Sequence, residues 1–207
     1  MRAPSFAARR ARAGARRFAR DERGGLTVET VLIMPVLFWA LAGSFVMWDA
    51  FRAHTAALKA SYTIADAISR EMVPIDAAYV GGLERLFGLL TGAVDPAAIR
   101  VSVVARRTDA ATGAQADALV WSATTGAAPP LAALADIAPH VPVMGPGDEV
   151  IVVETFAGWR PAFDIGLPAR EIANVTVSRP RFIPRVCWIA CPLDTTTPGG
   201  PGTTEGS

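Results

Sequence analysis

The chain contains little of what most active sites require. Its 207 residues include only two histidines and two cysteines. The histidines, His54 and His140, have no neighbour at metal-ligand spacing, and no Gly-x-Ser-x-Gly, Walker A or dinucleotide-binding glycine pattern occurs. The acidic residues are scattered and are explained by solvated positions. The sequence therefore predicts a protein that is not an enzyme and that uses no metal and no cofactor.

Ionisable side chains are absent from Thr30 to Trp48. As a helix rising ~1.5 Å per residue, this run spans roughly 28 Å, close to the ~30 Å hydrocarbon core of a bilayer. Glu29 lies at its N-terminal edge and Pro35 lies inside it. The run predicts a transmembrane helix, kinked at Pro35 because proline leaves the carbonyl of Val31 without its donor.

The formal net charge of +1 hides a strong asymmetry. Residues 1–24 carry eight arginines against two acidic residues, a net of +6, which leaves −5 for the rest of the chain. Arginines beside a hydrophobic span stay in the cytoplasm. We therefore expect a single-pass protein with its N-terminus inside and its C-terminal part outside the inner membrane. A nucleic-acid-binding arm is the alternative, but the arginine run adjoins the span and the remainder is acidic.

Two export signals compete with a retained membrane helix. Ala40-Leu41-Ala42 before Gly43 fits the small-residue pattern of signal cleavage, but the apolar run continues to Trp48. It is thus longer than the ~7–15 residues of a signal-peptide core. Arg9-Arg10 and Arg16-Arg17 resemble twin-arginine pairs, but charged residues follow the second pair.

Both cysteines, Cys187 and Cys191, follow the span. In an oxidising compartment disulfides persist, and two cysteines at this spacing can meet if the segment turns. We predict a local disulfide between them. A zinc site is disfavoured because no histidine or further cysteine lies nearby.

Past the span, apolar residues recur at three- and four-residue steps, which predicts that the helix continues to about residue 72. The predicted packing stripe comprises Trp48, Phe51, Thr55, Leu58, Tyr62, Ala65, Ile68 and Met72. Asp76 is a candidate N-cap for a second helix over residues 77–90.

The remaining chain contains strand-like segments between turn residues. Segments 99–105 and 119–122 predict a hairpin, and segments 148–156 and 171–178 predict two further strands. Segment 131–137 is a candidate short helix. Segment 158–163 is a predicted loop that carries Trp159.

These elements predict an α+β fold, in which a long N-terminal transmembrane and amphipathic helix precedes a small, mostly antiparallel sheet domain. The helix is expected to pack on the sheet. The predicted organisation is a cytoplasmic leader at 1–24, a transmembrane helix at 25–49, a periplasmic α+β domain at 50–193 and a disordered tail at 194–207.

Glu29 is an acid at the entrance of a membrane segment. At head-group level it costs little, whereas deeper burial requires a compensating cation. If the chain is cut between Gly24 and Gly25, the new amine belongs to Gly25 and Glu29 becomes the fifth mature residue. The amine of an incoming subunit could then pair with Glu29 of a neighbour.

Gly24, Gly25 and Glu29 before a hydrophobic helix resemble the processing site of type IV pilin-like proteins. The segment Arg20-Asp21-Glu22-Arg23-Gly24-Gly25-Leu26-Thr27-Val28-Glu29, followed by Pro35, resembles the TadE-like pseudopilins of the tight-adherence (Tad/Flp) pilus system. The resemblance covers about residues 18–72.

The resemblance implies a pilin-like minor pilin or assembly factor in the bacterial inner membrane, with a periplasmic domain and a role in cell adhesion. It implies processing at Gly24 or Gly25 by a prepilin peptidase and a subunit-assembly role for Glu29 and Pro35. The implied partners are that peptidase, other pseudopilins, the major pilin, the pilus assembly platform and the membrane, with no nucleic acid.

Two features depart from the family pattern. Thr30 follows Glu29 where an aromatic residue is common, and the doubled glycine leaves two candidate cleavage positions. The alternative function is a periplasmic binding or adhesion module that is merely anchored by the same helix, or released by cleavage at Ala42. Its activity would map to the loop around Trp159.

Overall fold

The computed structural model describes residues 25–92, 97–109 and 111–189. Its helices are α1 (Gly25–Ser69) and α2 (Ala77–Thr91). Its strands are β1 (Ala98–Thr108), β2 (Gln115–Thr124), β3 (Glu149–Trp159) and β4 (Arg170–Ser178). The strands form one antiparallel sheet in the order β2-β1-β3-β4. The predicted α+β fold is confirmed.

The chain divides into two compact units. Among the described residues, one unit holds residues 25–48 together with Phe163–Gly166 from the β3–β4 connection. The other holds the rest of α1, α2 and the sheet. Helix α1 therefore contributes its apolar run to one unit and its C-terminal part to the other.

The C-terminal part of α1 packs on one face of the sheet through small and branched residues. It buries Ala57, Ala60, Ile64, Ala65 and Ile68 against Ile99, Val101, Val103, Ile151 and Val153. Small and branched side chains at this contact fill the space between helix and sheet.

The predicted packing stripe was therefore wrong for its bulky members. Phe51, Tyr62 and Met72 are exposed, and only Ala65 and Ile68 of that stripe are buried. Three- and four-residue periodicity identifies several overlapping stripes on one helix, and the larger side chains belong to the outward one. Helix α1 also ends at Ser69, earlier than expected, where the Ser69 carbonyl accepts from the Arg181 amide at 2.8 Å.

Helix α2 begins where its capping residue predicts. The Asp76 carboxylate accepts from the Tyr79 amide at 2.8 Å, and Gly92 ends the helix in the left-handed conformation. The buried side of α2 consists of Val80, Leu83 and Phe87, which join the same core as α1.

The opposite face of the sheet has a second, smaller core. Val104, Val150 and Val152 pack there against Ile137 and Met144 from the β2–β3 connection. The predicted short helix at 131–137 is instead a pair of 3₁₀ turns, Leu134–Asp136 and Ala138–His140. Two turns of α-helix are too short to be stable alone, and Pro139 disfavours helical geometry in the residue before it.

A buried ion pair crosses the centre of that face. Arg100 on β1 and Glu154 on β3 are register partners, and the guanidinium donates to both carboxylate oxygens. Arg100 Nη1 also donates to the Pro129 carbonyl at 2.9 Å. Because the pair is bidentate and further hydrogen-bonded, its buried charges are compensated.

Residues Val186–Ile189 form a C-terminal strap across the core on the helix side of the sheet. The strap pairs with Ile75 through a parallel bridge to Trp188, and its Val186 carbonyl accepts from Trp121 Nε1 at 2.7 Å. The rings of Trp121 and Trp188 lie 5.3 Å apart. The strap therefore ties the β2 edge to the segment that precedes α2.

Two leucines on α2 test this packing. Leu83 is buried and Leu89 is 81% exposed. We expect Leu83→Ala to lower the free energy of unfolding by about 2–5 kcal/mol, because it leaves a cavity in the core. Leu89→Ala should change it by no more than about 0.5 kcal/mol. Denaturant unfolding of the full chain in detergent micelles, followed by circular dichroism, measures both; equal losses would contradict the assignment of the buried face.

Candidate functional site

The apolar run of α1 leaves most of its side chains exposed, with Val46 as a buried exception. Only 6% of its most apolar 18-residue window is buried, and α1 is long and apolar enough to cross a membrane. Thirteen large apolar side chains between residues 28 and 48 are exposed. At about 1.5–3 kcal/mol each, leaving them in water would cost on the order of 20 kcal/mol. An exposed apolar surface of this size is typical of segments that contact lipid or another protein.

The predicted assembly residues lie at the start of this surface. Gly25 is the first residue of α1, and Glu29 is exposed on the second turn. Gly24 lies outside the described residues. Pro35 is accommodated inside α1, which continues through it to Ser69. Glu29 and Pro35 thus share one helix, six residues apart.

A polar residue near the C-terminal end of the run has its hydrogen bond satisfied within the helix. The Ser44 hydroxyl donates to the Ala40 carbonyl at 2.9 Å. Such internal bonding is what an apolar solvent demands, because lipid offers no hydrogen-bond partner.

The tip of the β3–β4 connection, residues 163–166, packs beside the C-terminal end of the apolar run. The Phe163 and Phe45 rings meet edge to face with centroids 6.0 Å apart, and Phe45 lies 6.2 Å from Trp48. On the neighbouring turn, Ile165 Cδ1 lies 3.8 Å from the position that a Cβ on Gly43 would occupy. A Cβ at that position would therefore be in ordinary van der Waals contact with Ile165, which places Ile165 directly beside Gly43.

Trp159 is not part of an exposed loop, contrary to expectation. It is the last residue of β3 and is buried, and its Nε1 donates to the Asp49 carboxylate at 3.0 Å. The Arg170 guanidinium lies over its ring at 5.8 Å. Strand β3 extends beyond the predicted boundary because Gly158 and Trp159 pair with Glu171 and Arg170 on β4. The connection to which the alternative function would map therefore begins after Trp159.

Of the two cysteines predicted to pair, Cys187 lies among the described residues. Cys187 lies in the C-terminal strap, is buried and is disulfide-bonded. Its carbonyl accepts from the Ile75 amide at 2.8 Å. Cys191 lies outside the described residues, as does the predicted tail, and the pairing of Cys187 with Cys191 stays a prediction.

The histidines offer no site. His54 and His140 are both exposed. Within residues 25–92, 97–109 and 111–189, no group of three or more histidine, cysteine or acidic side chains could hold a metal ion.

Several structurally important residues were not identified from the sequence. The partners of Arg100, Trp121 and Phe163 are all distant along the chain, so local spacing gives no signal for them. One signal was available: Phe163 and Ile165 are apolar residues in a segment rich in turn formers, which is unusual for a solvated loop.

Glu149 is a buried carboxylate at the start of β3, beside the strap. Only 7% of its side chain is exposed, and its Oε2 has no hydrogen-bond partner among the residues that the structure describes. Burial raises the pKa of Glu149 above its usual 4.5, although Arg185 and Arg107 oppose this shift. Arg185 Nε lies 3.9 Å from Oε1.

The sign of the resulting pH dependence follows from linkage. A carboxyl whose pKa is raised in the folded state favours folding while it is protonated, and that contribution is lost as pH rises above 4.5 through the folded pKa. The side chain of Glu149→Gln stays neutral at every pH. We therefore expect the stability of this variant, relative to that of the parent chain, to increase as the pH rises through the folded pKa of Glu149. Unfolding midpoints measured from pH 4 to pH 7 test this, with exposed Glu171→Gln as the control. A difference between Glu149→Gln and the parent that does not change with pH would contradict it.

Comparisons with protein-family models, with curated proteins and with solved structures find no match to this chain.

Proposed function

We propose that this protein is a membrane-anchored pseudopilin, or minor pilin, that takes part in assembling a Tad/Flp-type type IV pilus. In this proposal a prepilin peptidase removes the arginine-rich leader. The protein is anchored in the bacterial inner membrane by a single helix, with its sheet domain in the periplasm. Its partners are other pseudopilins, the major pilin and the assembly platform.

The observation that carries the proposal is the two-part character of α1. One uninterrupted helix begins at Gly25, has an apolar run that is largely exposed, and then packs its C-terminal part on a small antiparallel sheet. A helix of this kind fits a subunit that first resides in lipid and then exchanges lipid for neighbouring helices in a fibre. The exchange is energetically balanced because both surroundings are apolar.

Glu29 gives this exchange its specificity. Its position five residues into α1, on an exposed turn, leaves its carboxylate accessible to a neighbouring subunit. Cleavage before Gly25 would create an amine on the same end of the helix. Pairing an amine with a carboxylate lowers the cost of holding either charge in an apolar environment, and it fixes the axial register of adjacent helices.

The first test is the N-terminal sequence of the protein recovered from membranes, with and without an active prepilin peptidase. We expect the mature chain to begin at Gly25 only when the peptidase is active. A start at Gly43 would show signal cleavage instead. An unprocessed N-terminus in both strains would contradict processing by this peptidase.

The second test replaces Glu29. We expect Glu29→Ala to insert in the membrane at normal abundance but to abolish pilus assembly, because the incoming amine loses its partner. Exposed Glu171→Ala is the matched control and should assemble normally. Pili are counted by electron microscopy of cells that carry each variant as the only copy. Normal piliation in Glu29→Ala cells would refute the assembly role.

A further inference from the structure

We infer that the tip of the β3–β4 connection, residues 163–166, is a second membrane contact that enters the interfacial layer of the bilayer beside α1. This inference rests on the membrane anchoring in the proposed function, and it adds a lipid-binding surface outside the helix. The ligand is the boundary between lipid head groups and acyl chains.

The first observation is the depth at which the tip meets the helix. Gly43, the residue beside Ile165, lies five residues before Trp48, the last residue of the uncharged run. At ~1.5 Å per residue the tip therefore reaches roughly 7 Å along the run from its outer end. Amphipathic segments that lie in the membrane interface are buried by about 5–10 Å, which matches this depth.

The second observation is a continuous apolar surface shared by tip and helix. Phe163, Phe45 and Trp48 form a row of contacting rings, and each ring residue remains about half exposed. Aromatic residues are concentrated at membrane interfaces, where their rings fit the boundary between apolar and wet layers. The row therefore continues the lipid-facing surface of α1 onto a different part of the chain.

The third observation limits how deep the tip can go. Asp164 lies between Phe163 and Ile165, is exposed, and accepts from the Gly166 amide at 3.4 Å. Gly166 has a φ of +93°, which lets the chain reverse within the tip. A carboxylate and an irregular backbone are excluded from the hydrocarbon core but are tolerated at head-group level. The tip thus fits the interface and not the bilayer centre.

The test uses the full chain in vesicles of phosphatidylethanolamine and phosphatidylglycerol. Separate variants carry Phe163→Cys, Leu41→Cys or Phe182→Cys, each labelled with the environment-sensitive fluorophore NBD without reductant. Leu41 lies on the apolar run, and Phe182 is an exposed phenylalanine of the sheet-containing unit. The parent chain, carried through the same labelling, measures any reaction of the native cysteines. Circular dichroism melts verify that each variant is folded.

Quenching by nitroxides on the lipid chains and by aqueous iodide distinguishes the surroundings of each probe. We expect the probe at 163 to lose fluorescence to nitroxides near the head groups and to resist iodide, while the probe at 182 is quenched by iodide alone. The probe at 41 should be quenched by nitroxides deeper in the chains.

Three results would overturn the inference. Iodide quenching at 163 equal to that at 182, with lipid quenching intact at 41, would leave the anchor standing and remove the tip from the membrane. Protection at 163 from both quenchers would indicate a protein contact instead. Absence of lipid quenching at 41 would refute the membrane anchor itself, and the inference with it.

Discussion

One helix has to satisfy two different surroundings, and this constraint shapes the rest of the chain. The first part of α1 leaves most of its apolar side chains exposed, so surroundings that exclude water stabilise it. The second part has one buried stripe of alanine and isoleucine, which requires a sheet face to cover it. Trp48 and Asp49 mark the change between these regimes, at the boundary of the two compact units.

The two faces of the sheet differ because one of them has to cover the buried stripe of α1. The centre of its helix-side face is apolar, with Ile99, Val101 and Val103 on β1 and Ile151 and Val153 on β3. The opposite face has the Arg100–Glu154 pair in place of further aliphatic packing. A charged pair adds little net stability but excludes other registers, because a shift by one residue would leave both charges buried and unpaired. The pair thus fixes how β1 and β3 align.

The sequence predicted the features that depend on local pattern. The exposed apolar run, the cap at Asp76 and the existence of all four strands follow from charge, capping chemistry and alternation. The helix stripe could not be chosen in advance, since the choice between Tyr62 and Ile64 depends on the shape of the sheet. Nor could the burial of Trp159, which depends on its pairing with Arg170 across a loop. Contacts between distant segments have no local signature.

The strap has a consequence for the order in which the domain can form. Ile75 forms its bridge with Trp188, and Trp121 donates its side-chain hydrogen bond to the Val186 carbonyl. Elements that are synthesised early are therefore completed by contacts with the last described residues. Contacts so far apart in sequence slow folding, because the loop must close before any contact is gained. A chain synthesised from its N-terminus would therefore leave the domain incomplete, with the β2 edge uncovered, until residue 188 is available. The domain then closes as a whole, after its last strand and the strap are present.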